Sequence, residues 1–294
     1  LFDQMQDIGL GDVTRDQLLG IQFFCPTCAK GKMTKKPWSR KTKTKKHAKG
    51  KVGECFYVDV IFRRTISAEF TDDLGRTGGG NPYTLIYLDA VSNRIFLQHI
   101  EHKSDIEQSM KTMKNHIEIE CRTADDYDDR APTKVLHWVS DRDSNMTSLK
   151  ATAQALAGGT KQTFNSSGGT NQTALLDNVV RRLLTHTRLA LIDSGLTMDY
   201  WEFAMNYGAA TMDITPTTSN EGGVAPIRRW TGEKTIALPL HPFGADCYVY
   251  QAKEKREGGE KVAPTGAGGE GRYRFLGEAR GLGYESRGSL ILDL

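Results

Sequence analysis

The chain lacks a long apolar run, a rich set of cysteines and any visible internal repeat. No stretch of its 294 residues approaches the ~18 consecutive apolar residues that a membrane span requires. Its five cysteines are mostly scattered, which favours a reducing compartment over a disulfide framework. The first residue is Leu1 and no signal-peptide pattern follows it, so we interpret this start as a cut or processed end.

Charge of one sign is concentrated in a single tract, although the net charge is only +3. Residues 30–51 contain eleven Lys or Arg, no Asp or Glu and few large apolar residues, which predicts an extended linker. Such a tract can contact DNA phosphates with a salt-dependent affinity, but a solvated linker or a nuclear import signal fits the same pattern. The candidate DNA-binding residues here are Lys35, Lys36, Arg40, Lys41, Lys43, Lys45 and Lys46.

Alternating strand-like and helical patterns predict an α/β protein with a mixed sheet covered by helices. Strands are expected at 54–62, 83–89, 94–100, in the run that ends at Asp141, and at 160–164. Helices are expected from a capping box at Ser104 and Glu107 onward, and at 146–157, 174–194 and 199–212. The C-terminal part alternates again between Gly-rich loops, as in a small β-barrel.

Two aspartates stand at or near the ends of apolar strands, where an unpaired charge is costly. Asp59 lies in Cys55-Phe-Tyr-Val-Asp-Val60, and Asp141 ends Val135-Leu-His-Trp-Val-Ser-Asp141. If the two strands are neighbours, the carboxylates converge, and a divalent metal ion is the usual partner of such a pair. A third acid, Asp177, follows after 35 residues at the start of the long helix. This pattern indicates phosphoryl transfer on nucleic acid, although a single strand-end aspartate is more often a capped or solvated acid.

Several motifs, in this order, resemble those of the integrases of copia-type (Pseudoviridae) LTR retrotransposons, within the retroviral integrase superfamily. The motifs are Phe24-Cys-Pro-Thr-Cys-Ala-Lys-Gly-Lys32, Tyr57-Val-Asp-Val60, the segment Tyr83 to Arg94 with its Asp-x-x-Ser-x-Arg, Val139-Ser-Asp141, the segment Leu183 to Trp201, Ala225-Pro-Ile-Arg-Arg-Trp-Thr-Gly232 and His241-Pro-Phe-Gly244. The resemblance covers most of the chain and would make it a fragment of a Pol polyprotein.

The resemblance implies three domains. Residues 1–51 would be a partial zinc module, holding its cysteine half, and a basic linker. Residues 52–215 would be an RNase H-like catalytic core with a mixed five-stranded sheet and flanking helices. Residues 216–294 would be a linker and a small SH3-like β domain.

The resemblance also implies the site chemistry. Asp59, Asp141 and Asp177 would be catalytic ligands of Mg²⁺ or Mn²⁺, while Cys25 and Cys28 would bind Zn²⁺ if the full His/Cys module were present. Arg181 and Arg188 would contact DNA from the core, although Arg188 also fits a surface salt bridge. The implied activity is 3′-end processing and strand transfer of element DNA into target DNA. A homo-oligomer, and a nuclear location with a cytoplasmic virus-like-particle stage, follow from the same resemblance.

Three departures from the family pattern keep alternatives open. Aspartate replaces the family's glutamate at Asp177, which shortens the side chain by one methylene, roughly 1.5 Å. The residues after Asp141 differ from the family motif, and no histidine precedes Cys25. A decayed, integrase-derived DNA-binding protein is therefore the main alternative. An RNase H-like nuclease of another kind would need a fourth acid, for which Asp89 is a candidate, although its Asp-x-x-Ser context favours a structural role.

Overall fold

The computed structural model describes eight segments of the chain. They are residues 50–62, 81–124, 134–140, 159–164, 174–232, 241–247, 273–278 and 289–293. The helix predicted at 146–157 lies outside the described residues.

A mixed five-stranded sheet forms the centre of the fold, in the order β3-β2-β1-β4-β5. Strands β1 and β2, and β2 and β3, pair antiparallel, whereas β1 and β4, and β4 and β5, pair parallel. The strands are β1 Cys55–Phe62, β2 Tyr83–Asp89, β3 Ile95–Ile100, β4 His137–Ser140 and β5 Lys161–Phe164. The predicted α/β sheet with flanking helices is thereby confirmed.

One face of the sheet packs against helix α1, Ile106–Ala124. Alternate residues of a strand point to opposite faces, and Phe56 and Val58 of β1 are fully buried on the α1 side together with Tyr87 of β2. The helix contributes Ile106, Met110, Met113 and Ile117, which recur at helical spacing, to this cluster. The helical spacing of these four residues therefore identified the face that the sheet covers.

The other face packs against helices α2, Ala174–Ser194, and α3, Trp201–Ile214. The sheet contributes Ile61, Ile86 and Leu88, and the helices contribute Leu176, Val179, Leu183, Trp201, Ala204 and Met205. The two helices approach closely at Gly208, where an added Cβ would lie 3.2 Å from His186 Cβ and 3.3 Å from Leu183 Cδ1. A side chain at this position would push α3 away from α2.

The helix boundaries agree with the sequence expectation except at two N-termini. Helix α2 ends at Ser194, and Gly195 follows with φ of 69°, as expected for a left-handed residue after a helix. Helix α1 does not begin with the expected capping box of Ser104 and Glu107. A 3₁₀ turn, Lys103–Asp105, precedes it, and the Asp105 carboxylate accepts a hydrogen bond from the His102 N–H at 3.2 Å. Another 3₁₀ turn, Met198–Tyr200, precedes α3.

Arg94, just after the turn between β2 and β3, joins the sheet to two helices. Its guanidinium lies 2.7 Å from Glu120 Oε1 and 3.6 Å from Asp213 Oδ2. It also lies 4.7 Å from the ring centroid of Phe96 and 5.1 Å from that of Trp230. Cation–π contacts of this kind gain strength when they are desolvated.

Two members of this cluster lie outside the sheet. Trp230 belongs to the short helix α4, Pro226–Thr231, and is buried in the cluster on the α1 face of the sheet. Asp213 belongs to α3, and it also accepts the Ile95 N–H at 3.0 Å. Burial raises the pKa of Asp213 to about 7, although the Arg94 charge acts in the opposite direction.

A three-stranded antiparallel sheet lies at the C-terminal end of the chain, in the order β6-β7-β8. Its strands are β6 Asp246–Cys247, β7 Tyr273–Glu278 and β8 Ser289–Asp293. Phe243, which precedes β6, and Leu276 of β7 are buried in the same cluster as α2 and α3. A β structure was expected here, while its SH3-like character stays a prediction.

Arg274 connects this small sheet to the C-terminus of α2. Its Nη1 donates to the Ser194 carbonyl at 3.3 Å and to the Gly244 carbonyl at 2.7 Å. Its Nε lies 3.1 Å from Asp246 Oδ1. A cation at a helix C-terminus also interacts favourably with the helix dipole. Among the helices in the described segments, none is both long and apolar enough to cross a membrane.

We expect Gly244→Ala to destabilise the protein more than Gly195→Ala. Both glycines have positive φ, 73° and 69°, so each substitution carries a left-handed penalty of about 1–2 kcal/mol. An added Cβ at Gly244 would overlap Ser194, whose Cα is only 3.1 Å from that position, whereas no atom of the described segments lies within 4 Å of one at Gly195. Urea unfolding of both variants measures the difference, and equal free energies of unfolding would contradict the close contact at Ser194.

Candidate functional site

Asp59 lies in the middle strand of the five-stranded sheet, opposite Ile86 of β2. The side chain is half-buried, and its Oδ1 accepts the Val60 N–H at 2.8 Å. Ile61, two residues further along β1, points to the α2 face, and alternation places Asp59 on the same face. The carboxylate therefore belongs to the side of the sheet that α2 covers.

The parallel pairing of β1 with β4 leads directly to the second predicted acid. The last described pair is Val58 with Ser140, and the sequence continues from these residues to Asp59 and Asp141. Because parallel strands run in the same direction, residues that follow paired positions tend to stay neighbours. Asp141 itself lies outside the described residues, so its convergence with Asp59 stays a prediction.

Asp177 occupies the first turn of α2 and is exposed. Leu176 and Val179 on either side of it are buried against the sheet face that carries Asp59, and α2 contacts β1. An acid in the first turn also suits the positive end of the helix dipole. Arg181, one turn further along α2, donates its Nη2 to Asn178 Oδ1 at 2.5 Å.

The two predicted DNA-binding residues of the core, Arg181 and Arg188, are both exposed on α2. They are seven residues apart, which is two turns of helix, and so lie on one side of it. Thr185 lies between them and donates its hydroxyl to the Arg181 carbonyl at 2.9 Å. This polar side of α2 begins one turn after Asp177.

The described residues test the metal prediction only in part. No group of three or more His, Cys, Asp or Glu side chains suited to a metal ion occurs among them. They include Asp59 and Asp177, two of the three predicted carboxylates, and carboxylate oxygens are the donors that Mg²⁺ prefers. The zinc candidates Cys25 and Cys28, and the candidate lysines and Arg40 between positions 35 and 46, lie outside the described segments.

Cys55 and His137 form a contact near the start of β1 and β4. Cys55 Sγ lies 3.8 Å from His137 Nδ1, and His137 Nε2 lies 2.8 Å from Thr163 Oγ1. Burial raises the pKa of the Cys55 thiol to about 11, and the nearby carboxylates of Asp89 and Glu54 act in the same direction. A thiol that stays protonated is a poor nucleophile, so this pair is a packing contact.

Asp89, the candidate fourth acid, is a fully buried structural residue at the end of β2. Its carboxylate accepts the N–H groups of Gly53 at 2.9 Å, Val91 at 3.2 Å and Ser92 at 2.6 Å, and the Ser92 hydroxyl at 2.7 Å. Burial still raises the pKa of Asp89 above its usual value, while these hydrogen bonds lower it.

The position of Asp89 also separates it from the candidate site. It pairs with Phe56, three residues before Asp59 and so roughly 10 Å away along β1. Asp89 lies beside the start of β1, whereas Asp59 lies further along β1 and Asp141 follows the end of β4. These contacts support the structural role that the Asp-x-x-Ser context suggested.

The sequence interpretation missed one exposed feature near the site. The ring of Phe62, at the end of β1, stacks on Tyr83 of β2 with centroids 5.4 Å apart and planes 30° apart. Phe62 is 53% exposed, and Lys103 Nζ lies 5.6 Å from the Tyr83 ring centroid. An aromatic residue directly before the basic pair Arg63 and Arg64 was the available signal in the sequence.

Comparison with known proteins gives structural similarity at low sequence identity. No protein-family model matches the chain, and no curated protein is detectably similar to it in sequence. Among solved structures, the catalytic core domain of BIV integrase is similar with a TM-score of 0.40 and 13% sequence identity. The match covers 61% of this chain and 95% of that domain. At this level the similarity assigns neither family nor function, and the fold rests on the strand order and register described above.

We expect Asp89→Asn and Asp59→Asn to affect stability very differently. Asparagine at position 89 would turn an amide toward four hydrogen-bond donors in a buried site, and hydrogen bonds to a charged group contribute about 1.5–3 kcal/mol each. At position 59 the carboxylate is half-buried, so the isosteric amide should change the free energy of unfolding by less than about 1 kcal/mol. Urea unfolding of the two variants measures this, and equal losses would contradict the structural role of Asp89.

Proposed function

We propose that the chain is an integrase-type polynucleotidyl transferase with an RNase H-like core, which processes 3′ DNA ends and joins them to target DNA. The observation that carries this proposal is the parallel register of β1 and β4. It brings the strand containing Asp59 beside the strand that leads to Asp141. Helix α2, which carries Asp177 in its first turn, lies against β1. Three carboxylates from two neighbouring strands and one helix make a suitable set of oxygen donors for divalent ions.

Each carboxylate has a distinct role in the proposed site. Asp59 would hold both ions, while Asp141 would hold one ion and Asp177 the other. Bound Mg²⁺ or Mn²⁺ would supply charge stabilisation for the attacking and leaving oxygens of an in-line displacement at phosphorus. The attacking group would be water in end processing and a DNA 3′-hydroxyl in strand transfer. The fixed sheet would keep Asp59 and Asp141 in place, so that neither strand needs to reorganise during the reaction.

Double-stranded DNA, as element ends and as target, is the proposed partner. Arg181 and Arg188 share the exposed side of α2 that begins one turn after Asp177, which suits contact with the DNA phosphates that lead away from the reacting one in one direction. The lysine-rich tract would add further phosphate contacts with a strong dependence on salt.

Four finer features of the proposal come from the family resemblance. They are a copia-type origin, a homo-oligomer that holds two DNA ends, a nuclear location with a cytoplasmic virus-like-particle stage, and zinc at Cys25 and Cys28. Zinc would require histidine ligands, which the sequence before Cys25 does not contain.

A DNA-binding protein that has lost its chemistry is the second candidate function. The exposure of Asp177 favours it, because a solvated carboxylate one methylene shorter than glutamate is less well held for metal binding. The fold and the basic residues would then be retained for binding alone. DNA binding that is insensitive to divalent ions, without cleavage under any metal, would favour this candidate.

We expect the full chain to join a DNA end to a plasmid in the presence of Mn²⁺ and to lose this activity in EDTA. Asp59→Asn and Asp141→Asn should each abolish joining, because each removes a charged ligand while keeping the shape of the side chain. A gel-based strand-transfer assay with labelled oligonucleotides measures the product.

The matched control for this assay is Asp199→Asn, a half-buried acid in the 3₁₀ turn before α3. It should leave joining unchanged. Joining that survives both Asp59→Asn and Asp141→Asn would exclude the proposed two-metal mechanism.

We expect Asp177→Glu to increase the joining rate and to reduce the preference for Mn²⁺ over Mg²⁺. The longer side chain would extend roughly 1.5 Å further, and Mg²⁺ tolerates less deviation from octahedral geometry. Single-turnover rates with each metal measure the change. If the rate falls or stays the same with both metals, Asp177 is not a ligand, and the first-turn dipole role remains for it.

A further inference from the structure

Two stacked aromatic rings form an exposed surface at one end of the central sheet. Phe62 and Tyr83 are directly paired across β1 and β2, and their rings lie 5.4 Å apart at 30°. One face of Phe62 is therefore covered by Tyr83, while 53% of the residue remains exposed.

The surface is supported from behind, so its geometry does not depend on the ligand. Tyr83 packs against the core cluster on the α1 face of the sheet. Asn81, two residues before it, donates its backbone N–H and its side-chain amide to the Glu202 carboxylate of α3. An aromatic platform that is already rigid loses little conformational entropy when a flat ligand stacks on it.

A positive charge accompanies the rings. Lys103 is exposed, and its Nζ lies 5.6 Å from the Tyr83 ring centroid. The two nearby acids have local partners, since Glu101 Oε1 lies 3.7 Å from His102 Nε2 and Asp105 accepts the His102 N–H. The rings thus offer a stacking surface, and the lysine offers a partner for an anionic group.

The position of these residues relative to Asp59 indicates the ligand. Phe62 follows Asp59 by three residues on the same strand, roughly 10 Å along it, so the two side chains point to opposite faces of the sheet. A DNA strand bound at Asp59 would reach the rings by passing around the end toward which β1 and β4 both run. A flat ring with an anionic group next to it is the chemistry of a nucleotide, and base stacking on aromatic side chains tolerates any sequence.

We propose that Phe62, Tyr83 and Lys103 form a stacking site for an unpaired base of the DNA strand, with Lys103 contacting the adjoining phosphate. The site rests on the proposed function, because that function brings a DNA strand to Asp59. It adds a specific role: an end with an unpaired nucleotide binds more tightly than a fully paired one. Phe62 and Tyr83 are binding residues here and take no part in the chemistry.

The test measures binding without catalysis, with the full chain in EDTA. The probe is a single-stranded oligodeoxynucleotide of about 12 nucleotides that contains one 2-aminopurine, whose fluorescence falls when it stacks. Phe62→Leu should weaken binding by between about 5-fold and about 150-fold, the range for the loss of one base–aromatic stack, and should reduce the quenching. Phe62→Trp should retain both. Lys103→Gln should lower the salt slope by about 1.

Controls separate stacking from misfolding and from general electrostatics. Met198→Ala removes an exposed apolar side chain elsewhere and should bind DNA like the wild type. Far-UV circular dichroism and urea midpoints should match the wild type. A blunt duplex, which has no unpaired base, should bind Phe62→Leu and wild type equally.

The outcomes distinguish this proposal from the proposed function. Unchanged affinity and quenching in Phe62→Leu would overturn the stacking site and leave the joining assay to decide the function. Equal weakening for single strands and blunt duplex would also overturn it. A wild-type chain that binds neither DNA form would overturn both. Selective loss in Phe62→Leu, with or without joining activity, supports the stacking site.

Discussion

The buried carboxylate of Asp89 is the interaction on which the described core depends. It holds the Gly53 N–H at the entry to β1 and the backbone of Val91 and Ser92 in the turn after β2. These hydrogen bonds fix where β1 starts relative to β2, and register once fixed determines which side chains face each helix layer. A one-residue slip of β1 would move Asp59 to the α1 face and Phe56 away from the aromatic cluster. The position of the candidate site therefore follows from a residue that takes no part in it.

The elements that sequence could predict are those whose signals are local. Helix α2 was expected at 174–194 and has those bounds, because its apolar positions repeat at helical spacing and Gly195 ends it. The entry to α1 was missed, since the carboxylate of Asp105 rather than that of Glu107 accepts a backbone N–H there. Contacts between distant parts of the chain are harder to predict than local elements. Trp230, for example, contacts Arg94, which lies more than a hundred positions before it. No local pattern encodes such a pairing.

The candidate site was predictable to the same extent. The strand that carries Asp59 follows from its run of apolar, β-branched and aromatic residues, and the charge within that run singled out the acid. The sequence left open whether this strand neighbours the one that leads to Asp141, and the parallel pairing of β1 with β4 answers that. The sequence does not show that Asp177 is exposed. Its exposure depends on the rotation of α2 about its own axis, which packs Leu176 and Val179 against the sheet. The stacked pair of Phe62 and Tyr83 depends on cross-strand register, which the residues separating β1 from β2 do not reveal.

The attachment of the small C-terminal sheet to Ser194 has a mechanical consequence for the opposite end of α2. Arg274 and Gly244 contact the helix at its last residue, and Asp177 lies roughly 25 Å away along the axis at 1.5 Å per residue. Helix α2 is therefore attached to that sheet at its C-terminal end and carries Asp177, a residue of the proposed site, near its N-terminal end. A tilt of about 5° at Ser194 would displace Asp177 by roughly 2 Å, comparable to a metal–oxygen bond length. A partner that tilts the small sheet on binding would therefore also move Asp177.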